Sequence, residues 1–117
     1  MKTVKMAESE KQISAESFDK IIDSEKGLVV AEFYSINCVP CKLMQGDLEA
    51  IDKEYSGKMN LIRVDVTSNR ELAERYSVVS TPTIIMFAEK KPVYRILGYL
   101  SRHDLKERIE EQLKQIA

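Results

Sequence analysis

The two cysteines of this chain, Cys38 and Cys41, are separated only by Val39 and Pro40. Such a pair can form half of a metal site, a structural disulfide or a reversible redox couple. A structural zinc site usually takes four ligands, commonly from two such pairs. This chain has one pair and a single histidine, His103, within a charged segment that is typical of the solvated surface. The metal alternative therefore reduces to a site shared between two copies of the chain.

The position of the pair favours the redox couple. Cys38 falls where an apolar segment ends and a helical pattern begins. A helix N-terminus carries unpaired N–H groups and a partial positive charge, which stabilise a thiolate, the form of cysteine that attacks disulfides. Pro40 suits the first helical turn, where its missing N–H has no intrahelical acceptor. Cys41 lies three residues on, within reach of Cys38 and on the buried side, so one cysteine can attack and the other resolve.

Glu32 is a charged residue inside the otherwise apolar segment LVVAEFY, six residues before Cys38. Burying a carboxylate is unfavourable, and desolvation raises its pKa. The alternative is a side chain that reaches solvent from the edge of a sheet, because charged groups usually escape burial. Both interpretations remain open from the residues alone.

The surrounding hydrophobic pattern predicts alternating helices and strands. Apolar, β-rich segments predict buried strands at 28–34 and 59–66, and apolar residues at spacings of three and four predict the helices. The segment TPTIIMFAEKKPVYRILGY predicts two strands that turn at EKK. The order is helix, strand, helix, strand, helix, strand, strand, helix, with room for a small leading strand near Gln12. This order implies an α/β fold in which a mixed central sheet has helices on both faces.

Residue types at the ends of the patterns predict where the helices begin and end. Ser14 and Asn69 are predicted N-caps, and Gly27 is predicted to end the first helix. Ser101 and Asp104 form a capping-box-like start for the last helix.

The composition limits the function classes. A chain of 117 residues with 44% hydrophobic and 32% charged residues suits one domain with its own core. We expect a flexible tail at residues 1–10 and a single domain at 11–117. The net charge of −1, with both signs interspersed, offers no basic face for nucleic acid. No apolar stretch approaches the roughly 18 residues of a membrane span, and no apolar secretory core is present near the start. These features predict a cytoplasmic protein, in which structural disulfides are rare.

The chain resembles the thioredoxin family over nearly its whole length, from about Gln12. The matching segments are VVAEFYSINCVPCK, IRVDVTSN, YSVVSTPTIIMF and RILGYLS, in the family's order. A single CxxC is weakly specific, but CxPC followed about forty residues later by Thr-Pro, within this order of elements, is strongly specific. The resemblance implies a thioredoxin-like fold and thiol–disulfide oxidoreductase activity through a reversible Cys38–Cys41 disulfide, with no other cofactor.

The resemblance also implies roles for individual residues. Cys38 would be the nucleophile, Cys41 the resolving cysteine, and Glu32 the buried acid that relays a proton to and from the second cysteine. The family's cis-proline corresponds to Pro82, which brings the backbone of Thr81 against an extended substrate segment. The implied substrate-binding residues are Val39, Pro40, Thr81, Pro82 and Gly98.

Three departures from the family pattern bear on recognition. Asn37 and Val39 replace the Trp and Gly of the usual WCGPC, and Tyr34 stands where a second Trp is common.

The expected partners are disulfide-containing proteins and a thioredoxin-reductase-type electron donor, with no nucleic acid and no membrane, and we expect a monomer. Two alternatives are an oxidoreductase dedicated to one partner and a thioredoxin-fold binding module whose cysteines are incidental.

Overall fold

The computed structural model of the chain describes residues 13–116, and over that range the predicted order of helices and strands is confirmed. None of the helices in this range is both long and apolar enough to cross a membrane. The predicted leading strand near Gln12 and the predicted tail at residues 1–10 lie outside the described residues. The helices are α1 (Ala15–Ser24), α2 (Val39–Glu54), α3 (Arg70–Arg75) and α4 (Arg102–Ile116), and the strands are β1 (Leu28–Tyr34), β2 (Met59–Asp65), β3 (Thr83–Ala88) and β4 (Lys91–Leu97).

The described strands form one mixed sheet in the order β2-β1-β3-β4. β1 pairs in parallel with β2, whereas the β1–β3 and β3–β4 pairs are antiparallel. Glu89 and Lys90 connect β3 to β4 with positive φ angles of 51° and 70°. A two-residue turn with both φ angles positive matches the twist of a hairpin, so the predicted turn at EKK is confirmed.

The two faces of the sheet carry separate cores because successive side chains of a strand point to opposite faces. In β1, Leu28 and Val30 pack into the cluster that includes residues of α2 and α4. Val29 and Phe33 pack into the cluster that includes residues of α1 and α3. Helices therefore cover both faces, as predicted. The same alternation directs Glu32 toward the α2 face.

The start of α1 agrees with the prediction, and its end does not. The hydroxyl of Ser14 accepts a hydrogen bond from the backbone N–H of Ser17 at 3.1 Å. The helix ends at Ser24, because the backbone of Glu25 is extended. Gly27 is therefore not the helix terminator; a Cβ at this position would lie 2.6 Å from the carbonyl oxygen of Lys58. The glycine instead permits close approach of the chain just before β1 to the start of β2.

The N-terminus of α4 has a side-chain cap hydrogen bond, whereas that of α3 has none. Asn69 occupies the N-cap position of α3, as predicted, but its side chain makes no cap hydrogen bond. Its side-chain amide donates instead to the carbonyl oxygen of Asp65 at 3.1 Å, because an amide can donate as well as accept. The hydroxyl of Ser101 accepts from the backbone N–H of Asp104 at 3.3 Å, in agreement with the predicted start of α4.

Candidate active site

The cysteine pair lies at the N-terminus of α2, just beyond the end of β1. Cys38 is the N-cap residue, and its N–H donates to the carbonyl oxygen of Ser35 at 3.2 Å. The two cysteines are joined by a disulfide with a Cα–Cα distance of 5.2 Å. The backbone N–H of Cys41 donates to the Sγ atom of Cys38 at 3.1 Å. A hydrogen bond to this sulfur and a position at a helix start both favour a thiolate at Cys38 after reduction.

The two sulfur-bearing residues differ in accessibility. Cys38 is 8% exposed, whereas Cys41 is completely buried beneath it. Val39 and Pro40, which lie between them, are both exposed. An incoming group therefore meets the loop at Cys38 and its exposed neighbours before it can approach Cys41.

The Thr81–Pro82 peptide bond is cis, as the resemblance implied. The hydroxyls of Ser35 and Thr81 are 3.2 Å apart, which brings the segment before Pro82 against the loop that leads to Cys38. The N–H of Gly98 donates to the carbonyl oxygen of Pro82 at 2.9 Å, and Gly98 has a φ of 85° that favours glycine. Three segments far apart in sequence thus meet at one end of the sheet.

Glu32 is fully buried in β1, which lies between β2 and β3. The alternative of a solvent-reaching edge residue is therefore excluded. The Nε–H of Arg63 donates to Oε1 of Glu32 at 2.9 Å, while Oε2 is buried without a hydrogen-bond partner among residues 13–116. Burial raises the pKa of Glu32. The positive charge of Arg63 opposes this rise, and the negative charge of Glu49 adds to it.

Arg63 is the site residue that the sequence analysis missed. It lies directly opposite Glu32 in the parallel register of β1 and β2 and is only 4% exposed. Its guanidinium carbon lies 3.9 Å from the ring centroid of Tyr34, a cation–π geometry. Tyr34 in turn packs with the two cysteines in one buried cluster. The available signal was a charge of opposite sign, Arg63, between the apolar residues Ile62 and Val64 of a second strand.

His103 does not belong to this site. Its side chain is 79% exposed on α4, as predicted, and its Nε2 lies 3.6 Å from Oε2 of Glu107.

In this structure the two cysteine sulfurs are bonded to each other, which is the oxidised state of a redox couple.

The fold and the site together define a class of protein. The class is that of thiol–disulfide exchange proteins. Its parts are a cysteine pair at a helix start, a cis-proline segment beside that pair, and a mixed sheet with helices on both faces. Comparison with known proteins agrees, because the thioredoxin family model matches residues 9–111. The chain belongs to the thioredoxin family, and it is a protein thiol–disulfide oxidoreductase.

Individual relatives match nearly the whole domain. The thioredoxin of Staphylococcus saprophyticus is 33% identical over 102 residues, which cover 87% of this chain and 96% of that protein. Plasmodium falciparum thioredoxin has a TM-score of 0.78 at 34% identity, covering 84% of this chain and 93% of that one. A mutant thioredoxin from Halobacterium salinarum has a TM-score of 0.77 at 27% identity, covering 86% of this chain and 85% of that one.

Proposed function

We propose that this chain reduces disulfide bonds in other proteins, with Cys38 as the attacking thiol and Cys41 as the resolving thiol. The observation that carries the assignment is the difference at the start of α2 between Cys38, which is 8% exposed, and Cys41, which is fully buried. The unit that performs the reaction is the domain at residues 11–117. Its redox centre is the pair of sulfurs itself, without a separate cofactor.

The proposed cycle begins with both cysteines reduced. The thiolate of Cys38 attacks one sulfur of the substrate disulfide, a mixed disulfide forms, and the first substrate thiolate leaves and takes a proton. Cys41 then loses its proton and attacks the Sγ atom of Cys38, which releases the second substrate thiolate. The substrate gains two electrons and two protons, and the Cys38–Cys41 disulfide seen in the structure is formed. An external dithiol donor returns the electrons and protons.

Glu32 is proposed to accept the proton that Cys41 loses. Its side chain lies on the face of the sheet that α2 covers, and its Oε2 atom has no hydrogen-bond partner among the described residues. Burial raises the pKa of Glu32, and a higher pKa makes the carboxylate a better proton acceptor. The guanidinium of Arg63 holds the other oxygen, which leaves Oε2 for the proton.

Glu32→Gln is expected to slow the resolution step by about 100-fold, the lower range of general-base effects, because an amide cannot accept the proton. The fold should persist, since the two side chains have nearly the same volume. The measurement is the single-turnover decay of a preformed Cys38 mixed disulfide between pH 6 and 9.

Glu49→Gln provides the matched control for that measurement. It removes a neighbouring carboxylate on α2 whose charge raises the pKa of Glu32, but it keeps the proposed base. This variant should shift the pH profile to lower pH and lose much less of the maximal rate than Glu32→Gln does. If Glu32→Gln resolves the mixed disulfide at the wild-type rate over the whole range, Glu32 has only a structural role.

The proposed substrate groove is formed by the cysteine loop, the cis-proline segment and the start of the loop after β4. Its proposed contact residues are Val39, Pro40, Thr81, Pro82 and Gly98. Exposed apolar side chains accompany each segment: Ile36 and Val39 beside Cys38, Val79 before Thr81, and Leu97 and Tyr99 on either side of Gly98. Such a surface suits an extended segment of a protein substrate, with backbone contacts at Thr81 and apolar contacts around it.

The electron donor is proposed to be of the thioredoxin-reductase type, the protein is proposed to act as a monomer, and its site of action is proposed to be the cytoplasm. The decisive experiment is catalytic reduction of insulin by the purified chain with dithiothreitol, followed by replacement of dithiothreitol with a thioredoxin reductase. Failure to reduce insulin with dithiothreitol would contradict the function. Success with dithiothreitol but failure with the reductase would indicate a different electron donor.

A further inference from the structure

Ser35 contacts both of the loops that form the site. It directly follows β1, and its backbone carbonyl oxygen accepts the N–H of Cys38 at 3.2 Å. Its side-chain hydroxyl lies 3.2 Å from the hydroxyl of Thr81, 46 residues away in sequence and partly buried. Ser35 therefore links the attacking cysteine to the residue before Pro82, through its backbone carbonyl on one side and its hydroxyl on the other.

Other hydrogen bonds around Pro82 do not make this connection. The hydroxyl of Thr83 donates to the carbonyl oxygen of Ser80 at 2.8 Å, within the same segment. The N–H of Gly98 donates to the carbonyl oxygen of Pro82 at 2.9 Å and so joins that segment to the end of β4. The Ser35–Thr81 hydrogen bond, in contrast, crosses from the cis-proline segment to the cysteine loop.

We propose that Ser35 is a positioning residue whose hydrogen bond to Thr81 sets the separation between the cis-proline segment and Cys38. This inference rests on the proposed function, in which a protein substrate contacts the backbone of Thr81 while its disulfide meets Cys38. The two contacts must be made at once, so their relative position determines how well an extended segment fits. A misplacement of about 1 Å in such a geometry can lower a rate by as much as 100-fold.

Protein disulfides and small disulfides should depend differently on the Ser35–Thr81 hydrogen bond. A protein disulfide uses both the groove at Thr81 and the sulfur of Cys38, whereas a small aromatic disulfide needs only the sulfur. Loss of the Ser35–Thr81 hydrogen bond should therefore reduce exchange with protein substrates more than exchange with small ones. A general loss of stability or a change in the reactivity of Cys38 would affect both substrates alike.

The test compares insulin with 5,5′-dithiobis(2-nitrobenzoic acid) as substrates of the reduced protein. Ser35→Ala and Thr81→Val each remove one hydroxyl, and each is expected to lower the ratio of the insulin kcat/KM to the small-disulfide rate by about 5- to 10-fold, within the range for misplaced groups. The double variant should show no further loss, because either substitution already removes the hydrogen bond. Thr81→Ser, which keeps the hydroxyl, should restore the ratio relative to Thr81→Val.

Ser17→Ala is the matched control, because it also removes one hydroxyl of a hydroxyl–hydroxyl pair, with Ser14 at 3.1 Å, on the exposed side of α1. It should leave the ratio at the wild-type value. Thermal unfolding of every variant shows whether it is folded. If Ser35→Ala does not fold, Thr81→Val still tests the loss of the Ser35–Thr81 hydrogen bond.

Equal losses for the two substrates, or additive losses in the double variant, would overturn the positioning role. Absence of exchange with both substrates in the wild-type protein would instead overturn the proposed function, and the inference with it.

Discussion

Cys41→Ser is expected to accumulate a stable mixed disulfide between Cys38 and its substrate, whereas Cys38→Ser accumulates none. In the first variant the more exposed thiol, at the start of α2, still attacks. The serine hydroxyl that replaces Cys41 cannot displace the bridging sulfur, so the intermediate persists. In the second variant the remaining thiol is fully buried, and it lies inside the helix rather than at its N-cap.

Both substitutions should nearly abolish catalytic turnover. Loss of a nucleophile that acts as part of one catalytic unit commonly lowers kcat by roughly 10⁴-fold or more. The two variants therefore differ in the trapped intermediate rather than in the remaining activity. This difference separates the attacking role from the resolving role.

The measurement is made in cells that express each variant, with thiols quenched by acid and adducts separated on non-reducing gels. The variant that lacks both cysteines is the control for nonspecific association. Adducts with Cys41→Ser alone, released by dithiothreitol, are the expected result, and their mass spectra identify the substrates. Adducts with Cys38→Ser alone would reverse the assigned roles. Partner capture that survives reduction, without adducts from either variant, would favour the binding-module alternative.

Arg63→Met is expected to destabilise the protein by about 3–5 kcal/mol at neutral pH, the usual effect of removing one partner of a buried ion pair. Arg63 and Glu32 are 4% and 0% exposed, and their closest atoms are 2.9 Å apart. The substitution leaves the carboxylate of Glu32 buried without its counterion. It also removes the guanidinium from the ring of Tyr34.

The loss of stability should depend on pH. Burial already raises the pKa of Glu32 in the folded protein, and loss of the opposing charge of Arg63 raises it further. Below the unfolded pKa of glutamate, about 4.3, the side chain is protonated in both states and the ionic part of the penalty is absent. Between the unfolded pKa and the raised folded pKa, the unfolded state has released its proton while the folded state still holds it, so the penalty grows with pH and levels off above the folded pKa. The difference from wild type should therefore be larger at pH 8 than at pH 4.

Denaturant unfolding of the oxidised protein between pH 4 and 8 measures this difference. Arg75→Met is a matched control, since Arg75 also pairs with a carboxylate, that of Asp19, and lies over an aromatic ring, that of Tyr76. Its side chain is 35% exposed, so its loss should change the free energy of unfolding by less than about 1 kcal/mol. An equal destabilisation by Arg63→Met at both pH values would show that the ionisation of Glu32 contributes nothing to it.

The double variant Glu32→Leu/Arg63→Met separates stability from catalysis. Replacement of a buried ion pair by apolar residues is often neutral or stabilising, so much of the lost stability should return. The proposed proton acceptor is absent, however, and resolution of the mixed disulfide should remain slow. Recovery of both properties together would contradict the role of Glu32.

The sequence by itself determined the order of the elements and the location of the cysteine pair. A central strand that is covered on both faces is nearly all apolar, so the apolar run at 28–34 predicted a strand correctly. The start of α2 at Cys38 and the turn at Glu89 and Lys90 also depend on short stretches of chain. The cis bond before Pro82 followed from the family resemblance, since nothing local to Thr-Pro requires it.

Only the tertiary structure decided what surrounds these residues. Glu32 is buried rather than exposed at an edge because β1 lies between β2 and β3, and it pairs with Arg63 because of the parallel register of β1 with β2. The hydrogen bond from Ser35 to Thr81 spans 46 residues of sequence. Strand order and register arise from the packing of the whole domain, and no short segment records which residue its neighbour in another strand will be. The start of the helix could therefore be predicted from the local sequence. The partners of Glu32 and Thr81 are tertiary contacts, which the local sequence does not predict.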